Sequence, residues 1–338
     1  MMGLSPAESG TFITSKAKDV KLLDEGVENC AMDIVQKISS GELEMTKMFV
    51  KTEIHPQKCD DSGIDWVFFA DTLNFSFWMP EDGPQYVVTY KGVTYTGYLA
   101  MCAAINRALD QGVPLTDPKY FVNVDKDTLG SLLVGDKDVP IPLLEKRVDC
   151  LHEVGSVLIE KFSGSFNQVL SQCENSATNL LELVLANFPC FNDSAMFEGT
   201  HVSFHKRAQI LVADIWCLFE GTGRGGFSKI EQLTMFADYR VPQSLQHYGV
   251  MSYSKELLDF LKEDKLLEPG HRWEQEIRGC SIEAVERVTR RVRDVLESKG
   301  VEATVNSILV DQFLWGYRRE HCEVMKSIPY HKVRSIYY

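Results

Sequence analysis

The segment Ile282-Glu-Ala-Val-Glu-Arg-Val-Thr-Arg-Arg-Val-Arg-Asp-Val295 carries an apolar side chain at nearly every third or fourth position. On a helix, this spacing places isoleucine and valine in one stripe and leaves the other faces to charged residues. A stripe of this kind is typical of a helix that packs against other helices. The segment therefore predicts an amphipathic helix and favours a mainly α-helical fold.

Helical patterns also cover most of the chain on either side of this segment. A second apolar stripe, in the middle of the chain, consists of Leu144, Val148, Leu151, Leu158 and Phe162. Further helices are predicted at residues 14–39, 98–109, 178–188, 204–219 and 304–322. We expect everything after the hairpin described next to be helical.

The N-terminal third contains the patterns of a small β element. Tyr86–Tyr90 and Val93–Tyr95 flank Lys91-Gly92, which is typical of a two-residue hairpin. Residues 66–79 are dense in aromatics and predict another strand, whereas residues 51–63 predict a loop. The predicted fold class is therefore mainly α, with a small β element in the N-terminal third.

The chain shows no internal repeat, no low-complexity tract and no clear linker. Residues 130–142 are the best candidate for an internal boundary, and they fit an ordinary surface loop equally well. We expect one domain over residues 1–338.

Composition restricts the partners of the protein. The chain has 338 residues, of which 48 are acidic and 35 basic, so its formal net charge is −13. Affinity for nucleic-acid backbones comes largely from Lys and Arg contacts with phosphate. The acidic excess therefore counts against binding of a long polyanion, although a local basic pocket can still hold one phosphate.

Further patterns bear on location and cofactors. No segment approaches the roughly 20 apolar residues of a membrane span, and the first ten residues lack the regions of a signal peptide. The nine cysteines show no C-x-x-C spacing and the eight histidines no H-E-x-x-H spacing. We therefore expect a cytoplasmic protein with free thiols, no metal and no cofactor.

The segment Leu233-Thr-Met-Phe-Ala-Asp-Tyr-Arg-Val-Pro-Gln-Ser-Leu-Gln-His-Tyr-Gly249 contains the main candidate for catalysis. An apolar run ends at Asp238, and Pro242 suits the first turn of a following helix. Free N–H groups at that helix start favour the ionised carboxylate, whereas the apolar neighbours disfavour it. Asp238 is then either a capping residue or a group that stabilises a developing cation.

The segment 71–78 is a candidate for binding a heterocyclic base. In a strand, Phe75 and Phe77 lie on one side, with Asn74 and Trp78 on the other. Aromatic faces near Asp71 and Asn74 suit stacking and edge hydrogen bonds. The alternative is that these aromatics belong to the core.

Basic residues are placed at the start of the helix predicted at residues 204–219. His205, Lys206 and Arg207 can hold an anion there together with free helix N–H groups, or they form a solvated face. On the last helix, Asp311 and Trp315 are four residues apart and share a face.

Residues 221–226 are rich in glycine but do not match known nucleotide motifs. They lack the Lys-Ser/Thr of a P-loop, and a helix is predicted before them where the dinucleotide fingerprint has a strand. A turn between helices is the favoured interpretation.

Six segments together resemble one known family. They are Asp-Thr-Leu-Asn-Phe-Ser-Phe-Trp (71–78), Ala-Ala-Ile-Asn-Arg-Ala-Leu (103–109), Lys-Arg-Ala-Gln-Ile-Leu-Val-Ala-Asp (206–214), Thr-Met-Phe-Ala-Asp-Tyr-Arg-Val-Pro-Gln (234–243), Glu-Ile-Arg-Gly-Cys-Ser (276–281) and Ile-Tyr-Tyr (336–338). Over nearly the whole chain, the sequence resembles the queuosine salvage proteins, which are queuosine 5′-phosphate N-glycosylases. The resemblance implies a helical fold related to the helix–hairpin–helix DNA glycosylases. It also implies hydrolysis of queuosine 5′-monophosphate, which releases queuine for reinsertion into tRNA.

With that resemblance, the candidate residues receive expected roles. Asp238 is the expected catalytic residue, either as nucleophile or as the group that positions water. The phosphate candidates are His205, Lys206 and Arg207, and the base candidates are Asp71, Asn74, Phe75, Phe77, Trp78, Asp311 and Trp315.

The expected partner is the small nucleotide, bound by a monomer, with no intact nucleic acid and no membrane. Two alternatives stay open. One is a non-catalytic carrier of queuine or its nucleotide, and the other is a DNA glycosylase, against which the charge of −13 weighs.

Overall fold

The computed structural model describes residues 3–44, 53–80 and 82–338, and helices hold 56% of it. In chain order the helices are α1 Pro6–Lys16, α2 Asp24–Ser39, α3 Asp61–Thr72, α4 Tyr98–Asp110, α5 Pro118–Phe121, α6 Lys126–Leu133, α7 Leu144–Lys161, α8 Phe166–Leu170, α9 Ala177–Asn187, α10 Lys206–Leu218, α11 Val241–His247, α12 Lys255–Lys262, α13 Arg272–Ser298, α14 Ser307–Glu320 and α15 Cys322–Met325. The strands are β1 Val20–Leu22, β2 Val87–Tyr90, β3 Val93–Thr96, β4 Ser194–Phe197, β5 Thr200–Ser203 and β6 Met251–Tyr253. The predicted mainly helical class is confirmed.

The chain divides into two compact units, each assembled from separate stretches of sequence. The first unit contains Met1–Val50, Asp193–Gln209 and Glu231–Arg334. The second contains Lys51–Asn192, Ile210–Ile230 and Ser335–Tyr338. The candidate boundary at residues 130–142 lies inside the second unit.

Helix α13 forms the core of the first unit. Its predicted apolar stripe is confirmed, since Ile282, Val285, Val288 and Val292 are fully buried and Val295 nearly so. Helices α1 and α2 pack on it. The contact with α1 is close: a Cβ atom added to Gly279 would lie only 2.6 Å from the side chain of Ile13. Small residues at this crossing thus let the two backbones approach.

The helix predicted at residues 14–39 is interrupted, so this prediction was wrong in part. Helix α1 ends at Lys16, and β1 pairs antiparallel with β6 before α2 begins. The buried carboxylate of Glu276 accepts hydrogen bonds from the N–H groups of Lys18, Asp19 and Val20, at 2.8 to 3.3 Å. A distant side chain therefore takes the place of the helical acceptors at this break.

The prediction that everything after the first hairpin is helical was also wrong. Strands β4 and β5 form a second hairpin in the first unit, with Phe197 paired to Thr200. Its two turn residues, Glu198 and Gly199, both have positive φ angles, 48° and 77°. Two-residue hairpins need this conformation, but Glu-Gly is a weaker signal for it than Asn-Gly or Asp-Gly.

In the second unit, the predicted hairpin and helices are found. Strands β2 and β3 pair antiparallel around Lys91 and Gly92, whose φ angles are 49° and 84°. Helices α4, α7 and α9 match their predictions to within a few residues. Phenylalanines from α3, α8 and the segment after α9 form the core, and the rings of Phe68 and Phe166 stack at 4.3 Å.

The strand predicted at residues 66–79 is wrong, because most of this segment belongs to α3. Asp60 caps the helix by accepting a hydrogen bond from Gly63 N–H at 3.1 Å, so the end of the loop predicted at 51–63 is the helix start. Residues 51 and 52 of that loop lie outside the described residues. Nearly every side chain from Ile64 to Thr72 is buried. A helix buried all round has no polar face, and a short run of that kind cannot be told from a strand by periodicity.

After α3 the chain is irregular and is fixed by other parts of the second unit. The guanidinium of Arg147 donates to the carbonyls of Leu73 and Phe75. Ser76 N–H donates to Tyr338 O at 3.0 Å, and Ser76 Oγ donates to Ser335 O at 2.8 Å. The predicted alternation of side chains along a strand therefore does not apply to residues 73–80.

Candidate active site

Asp238 lies where the sequence places it, between an apolar run and a helix. Residues 233–237 are buried, and α11 begins at Val241 with Pro242 in its first turn. Asp238 Oδ1 accepts hydrogen bonds from Arg240 N–H at 2.9 Å and Val241 N–H at 2.8 Å. Within the described residues, Oδ2 accepts none. One oxygen thus caps the turn, so the capping interpretation is correct for Oδ1, and the other remains available for a ligand.

The surroundings of Asp238 act on its ionisation in both directions. Part of its surface is exposed, yet enough protein surrounds it that burial raises the pKa of the carboxyl. Lys206 and the two N–H donors lower the pKa but do not cancel that rise. The carboxyl is therefore a stronger base than a solvated aspartate.

A second carboxyl, Asp311 on α14, belongs to the same group. It is 3% exposed, and its Oδ1 accepts a hydrogen bond from Phe236 N–H at 3.1 Å. Burial raises the pKa of Asp311 well above its usual range, and the negative charge of Asp238 raises it further. The pKa of Asp311 is thus raised both by burial and by the charge of Asp238, and carboxyl pairs whose pKa values are pushed apart are typical of sites where the two groups have different catalytic roles.

Lys206, in the first turn of α10, supplies a positive charge to this pair. Its charge lowers the pKa of both Asp238 and Asp311. Lys206 is 7% exposed and Arg207 is 1% exposed. Burial lowers the pKa of His205, just before the helix, to about 4. The solvated-face interpretation is therefore wrong for Lys206 and Arg207, and the charge of Lys206 acts on both carboxyls.

The backbone around these groups is held by a buried ion pair. Arg278 donates to both carboxylate oxygens of Asp193, at 3.0 and 2.5 Å, and its Nε donates to Ala237 O at 3.0 Å. Asp193 Oδ2 also accepts from Lys206 N–H at 3.3 Å. Arg278 and Asp193 therefore fix both the residue before Asp238 and the first residue of α10.

The aromatic base candidates belong to the second unit, and they differ in accessibility. Phe75 and Trp78 are 1% and 6% exposed, and the guanidinium of Arg147 lies 4.4 Å from the ring centre of Phe75. Phe77 is partly exposed, and its ring lies 6.4 Å from that of Tyr98. The core interpretation thus describes Phe75 and Trp78, and Phe77 alone of the three offers surface for stacking.

The polar base candidates of the second unit lie around α3. Asp71 is fully buried, and Asn74 Nδ2 donates to its Oδ1 at 3.3 Å. Burial raises the pKa of the Tyr98 hydroxyl, and the negative charges of Asp214 and Asp71 add to that rise. These carboxylates therefore lie near Tyr98, which is partly exposed. The sequence arguments had assigned no role to Asp214 or Tyr98.

Two other predicted features are less informative. Trp315 on α14 is partly exposed, with the guanidinium of Arg319 at 4.9 Å from its ring centre. The glycine-rich residues 221–226 form a turn after α10, as predicted, and the N–H groups of Gly221, Gly225 and Gly226 donate within that turn and to Trp216. These N–H groups are therefore already used and do not form a phosphate cradle.

The described part of the chain contains no group of three or more side chains placed to hold a metal ion. None of its helices is both long and apolar enough to cross a membrane.

Comparison with known proteins identifies the family. The family model described as queuosine salvage protein matches residues 54–338. The chain belongs to this family. It is 45% identical over 337 residues to a protein of Bos taurus and 44% identical to one of Mus musculus, covering 99% of both chains in each case. A protein of Schizosaccharomyces pombe is 37% identical over 350 residues, covering 98% of this chain and 99% of its own. All three are named queuosine 5′-phosphate N-glycosylase/hydrolase.

Among the segments that resemble the queuosine salvage family, residues 276–281 had received no role from sequence. They contain Arg278 and Glu276, the two buried groups that hold the backbone near Asp238 and after α1. A charged side chain on the apolar side of a helix is the signal that identifies such residues, since buried charges are rarely left without partners.

Proposed function

We propose that this protein hydrolyses the N-glycosidic bond of queuosine 5′-monophosphate and releases queuine. The observation that carries the proposal is Asp238, held through Oδ1 by two N–H donors beside the buried carboxyl of Asp311, in a chain of the queuosine salvage family. The name shared by the three relatives, queuosine 5′-phosphate N-glycosylase/hydrolase, supports the same reaction.

The chemistry needs an anion close to the sugar. Cleavage of an N-glycosidic bond builds positive charge on the ribose, and an ionised carboxylate stabilises that charge as it develops. Asp238 Oδ2 is suited to this task because Oδ1 is fixed by two N–H donors. The same oxygen serves either a direct attack on C1′ or the orientation of a water molecule.

The leaving base imposes a second demand. Queuine is a 7-deazaguanine, so it lacks the N7 atom whose protonation helps other purines to leave. Departure therefore depends on cation stabilisation and on hydrogen bonds to the base. A neutral Asp311 carboxyl can donate such a hydrogen bond, which an ionised one cannot. The negative charge of Asp238 favours that neutral form.

Other sequence-based predictions accompany this proposal. They are a relation to helix–hairpin–helix DNA glycosylases, a single domain over residues 1–338, a cytoplasmic monomer, no cofactor, and base recognition by Asp71, Asn74, Phe77, Asp311 and Trp315. The buried rings of Phe75 and Trp78 are instead assigned to the core. Phosphate binding by His205, Lys206 and Arg207 also stays a prediction. Neither intact nucleic acid nor a membrane is expected as a partner.

The deciding experiment is an assay of turnover. Purified protein is incubated with an excess of queuosine 5′-monophosphate in water enriched in ¹⁸O, and free queuine is followed by chromatography. We expect many queuine molecules per protein molecule and one ¹⁸O atom in the ribose 5-phosphate. Binding without release would show a carrier. Excision of a base from DNA, or release of queuine from intact modified tRNA, would contradict the assigned substrate.

A further inference from the structure

Two arginines of the first unit converge on one side-chain oxygen near Asp238. Arg240 Nη1 donates to Gln243 Oε1 at 3.1 Å, and Arg318 Nε donates to the same oxygen at 3.2 Å. Arg240 follows Asp238 by two residues, and Arg318 lies on α14 two turns after Asp311. Two cations are thereby gathered beside the carboxyl pair.

The acceptor that gathers them is itself fixed. Gln243 is 2% exposed, and its Nε2 donates to Met325 O at 3.2 Å and to Ile328 O at 2.5 Å. Both amide hydrogens are used in this way, so Oε1 must face the arginines. The guanidinium of Arg240 also lies 3.9 Å from the ring centre of Tyr330. The position of Arg240 is therefore determined before any ligand binds.

The charge balance of this arginine pair depends on the anions near it. Within the described residues, neither Arg240 nor Arg318 forms an ion pair with a carboxylate. Burial and the positive charge of Arg240 lower the pKa of Arg318 to about 10. Asp238 is the nearby anion, but its Oδ1 is taken by backbone N–H groups and its one charge is also shared with Lys206. Two half-buried cations that repel each other are typical of a site that receives an anionic ligand.

The geometry points to a phosphate as that ligand. We propose that Arg240 and Arg318 form the subsite for the 5′-phosphate of the nucleotide, an inference that rests on the proposed hydrolysis. The phosphate is attached to the same ribose whose C1′ must reach Asp238, and two residues of chain span at most about 7 Å. Guanidinium groups bind phosphate through paired N–H donors.

This assignment differs from the sequence-based one. Lys206 is 7% exposed and its charge acts on the two carboxyls, and Arg207 is 1% exposed. Arg240 and Arg318 are both partly exposed, so a ligand can reach them. The arginine pair and the basic triplet are therefore alternatives that one set of variants separates.

The test compares two substrates that differ only in the phosphate. The value of kcat/KM is measured on queuosine 5′-monophosphate and on the nucleoside queuosine for Arg318→Gln, Arg240→Gln and Lys206→Gln. Arg290→Gln is the matched control, because Arg290 is exposed on α13 and its loss changes the net charge equally. Loss of a charge-assisted hydrogen bond is worth roughly 10- to 100-fold. We expect that loss on the nucleotide for both arginine variants, less than about threefold on the nucleoside, and no change for the control.

A second measurement tests phosphate binding directly, without turnover and with a check on the folding of each variant. Binding of ribose 5-phosphate and of ribose is measured by calorimetry for the wild type and for Arg318→Lys and Arg318→Gln, with thermal melts alongside. We expect Arg318→Lys to retain part of the affinity for ribose 5-phosphate and Arg318→Gln to lose it.

Each adverse result has a distinct meaning. Equal losses of kcat/KM on nucleotide and nucleoside, or a phosphate-specific loss only in Lys206→Gln, would overturn the subsite. A wild type that binds ribose 5-phosphate through Arg318 but releases no queuine would instead contradict the proposed function and leave the subsite standing.

Discussion

Asp238 in the first unit and Asp71 in the second occupy contrasting environments, although each follows an apolar run. Asp71 lies inside α3, fully buried, with Asn74 as a hydrogen-bond donor. Asp238 lies just before α11, where two N–H groups hold one oxygen and part of the side chain stays exposed. The comparison teaches that an apolar run before an aspartate does not by itself fix the exposure of the carboxylate: Asp71 is enclosed by its surroundings, whereas Asp238 stays partly exposed and is oriented by its hydrogen bonds.

The aromatic residues of the second unit give the test of this contrast between enclosed and accessible groups with the largest expected effect. Phe75→Ala removes a core ring under Arg147, and we expect it to lower the free energy of unfolding by about 3–5 kcal/mol. Phe77→Ala removes a partly exposed ring, so we expect it to weaken queuine binding by about 1–3 kcal/mol with a small change in stability. Chemical denaturation and calorimetry with free queuine measure the two effects. If Phe77→Ala destabilises as strongly as Phe75→Ala, the distinction between these rings fails.

The next test concerns the charge of Asp238. Asp238→Asn keeps an oxygen that can accept from Arg240 and Val241 N–H, but it removes the negative charge. We expect hydrolysis of queuosine 5′-monophosphate to fall by at least about 100-fold, with nucleotide binding retained. Asp294→Asn is the control, because Asp294 is exposed on α13. Activity of Asp238→Asn within a few-fold of wild type would remove Asp238 from the chemistry.

A smaller effect is expected at Asp311, the neutral member of the pair. Asp311→Asn mimics the protonated carboxyl in shape and charge, so we expect a loss of about tenfold or less in kcat, as for one altered hydrogen bond. A loss as large as that of Asp238→Asn would show that Asp311 must ionise during the reaction.

The two raised pKa values also predict the pH profile. In the proposed reaction Asp238 is ionised, so we expect activity to fall as the pH drops through its pKa, which burial raises above that of a solvated aspartate. In the same proposal Asp311 is neutral, so we expect activity to fall again as the pH rises through the pKa of that carboxyl. The expected profile is bell-shaped, and Asp311→Asn should abolish its alkaline limb.

The raised pKa of Asp311 also makes the stability of the fold depend on pH. A pKa of Asp311 that is higher in the folded than in the unfolded state stabilises the fold at low pH, and this contribution is lost as the pH rises through the folded value. Asp311→Asn should therefore raise the Tm relative to wild type increasingly toward alkaline pH. An unchanged pH dependence of Tm would show that Asp311 is ionised in the folded protein.

Local patterns in the sequence determined much of the fold. The apolar stripe from Ile282 to Val295, the Lys91-Gly92 turn and the helix start at Pro242 depend on neighbours a few residues away, so periodicity and turn chemistry are sufficient to predict them. The same holds for Asp238 as a candidate, because its position between an apolar run and a helix start is visible in one short segment.

Only the tertiary structure decided the rest. Helix α3 was mistaken for a strand because burial on all sides removes the periodicity that distinguishes the two. The partners that define the site come from distant segments: Asp311 and Lys206 act on Asp238, and Arg318 meets Arg240 at Gln243. Burial and charge–charge interactions depend on distance in space, and distance along the chain does not report it. The sequence by itself therefore selected Asp238 as the candidate carboxylate, whereas the fold decided which charged groups surround it.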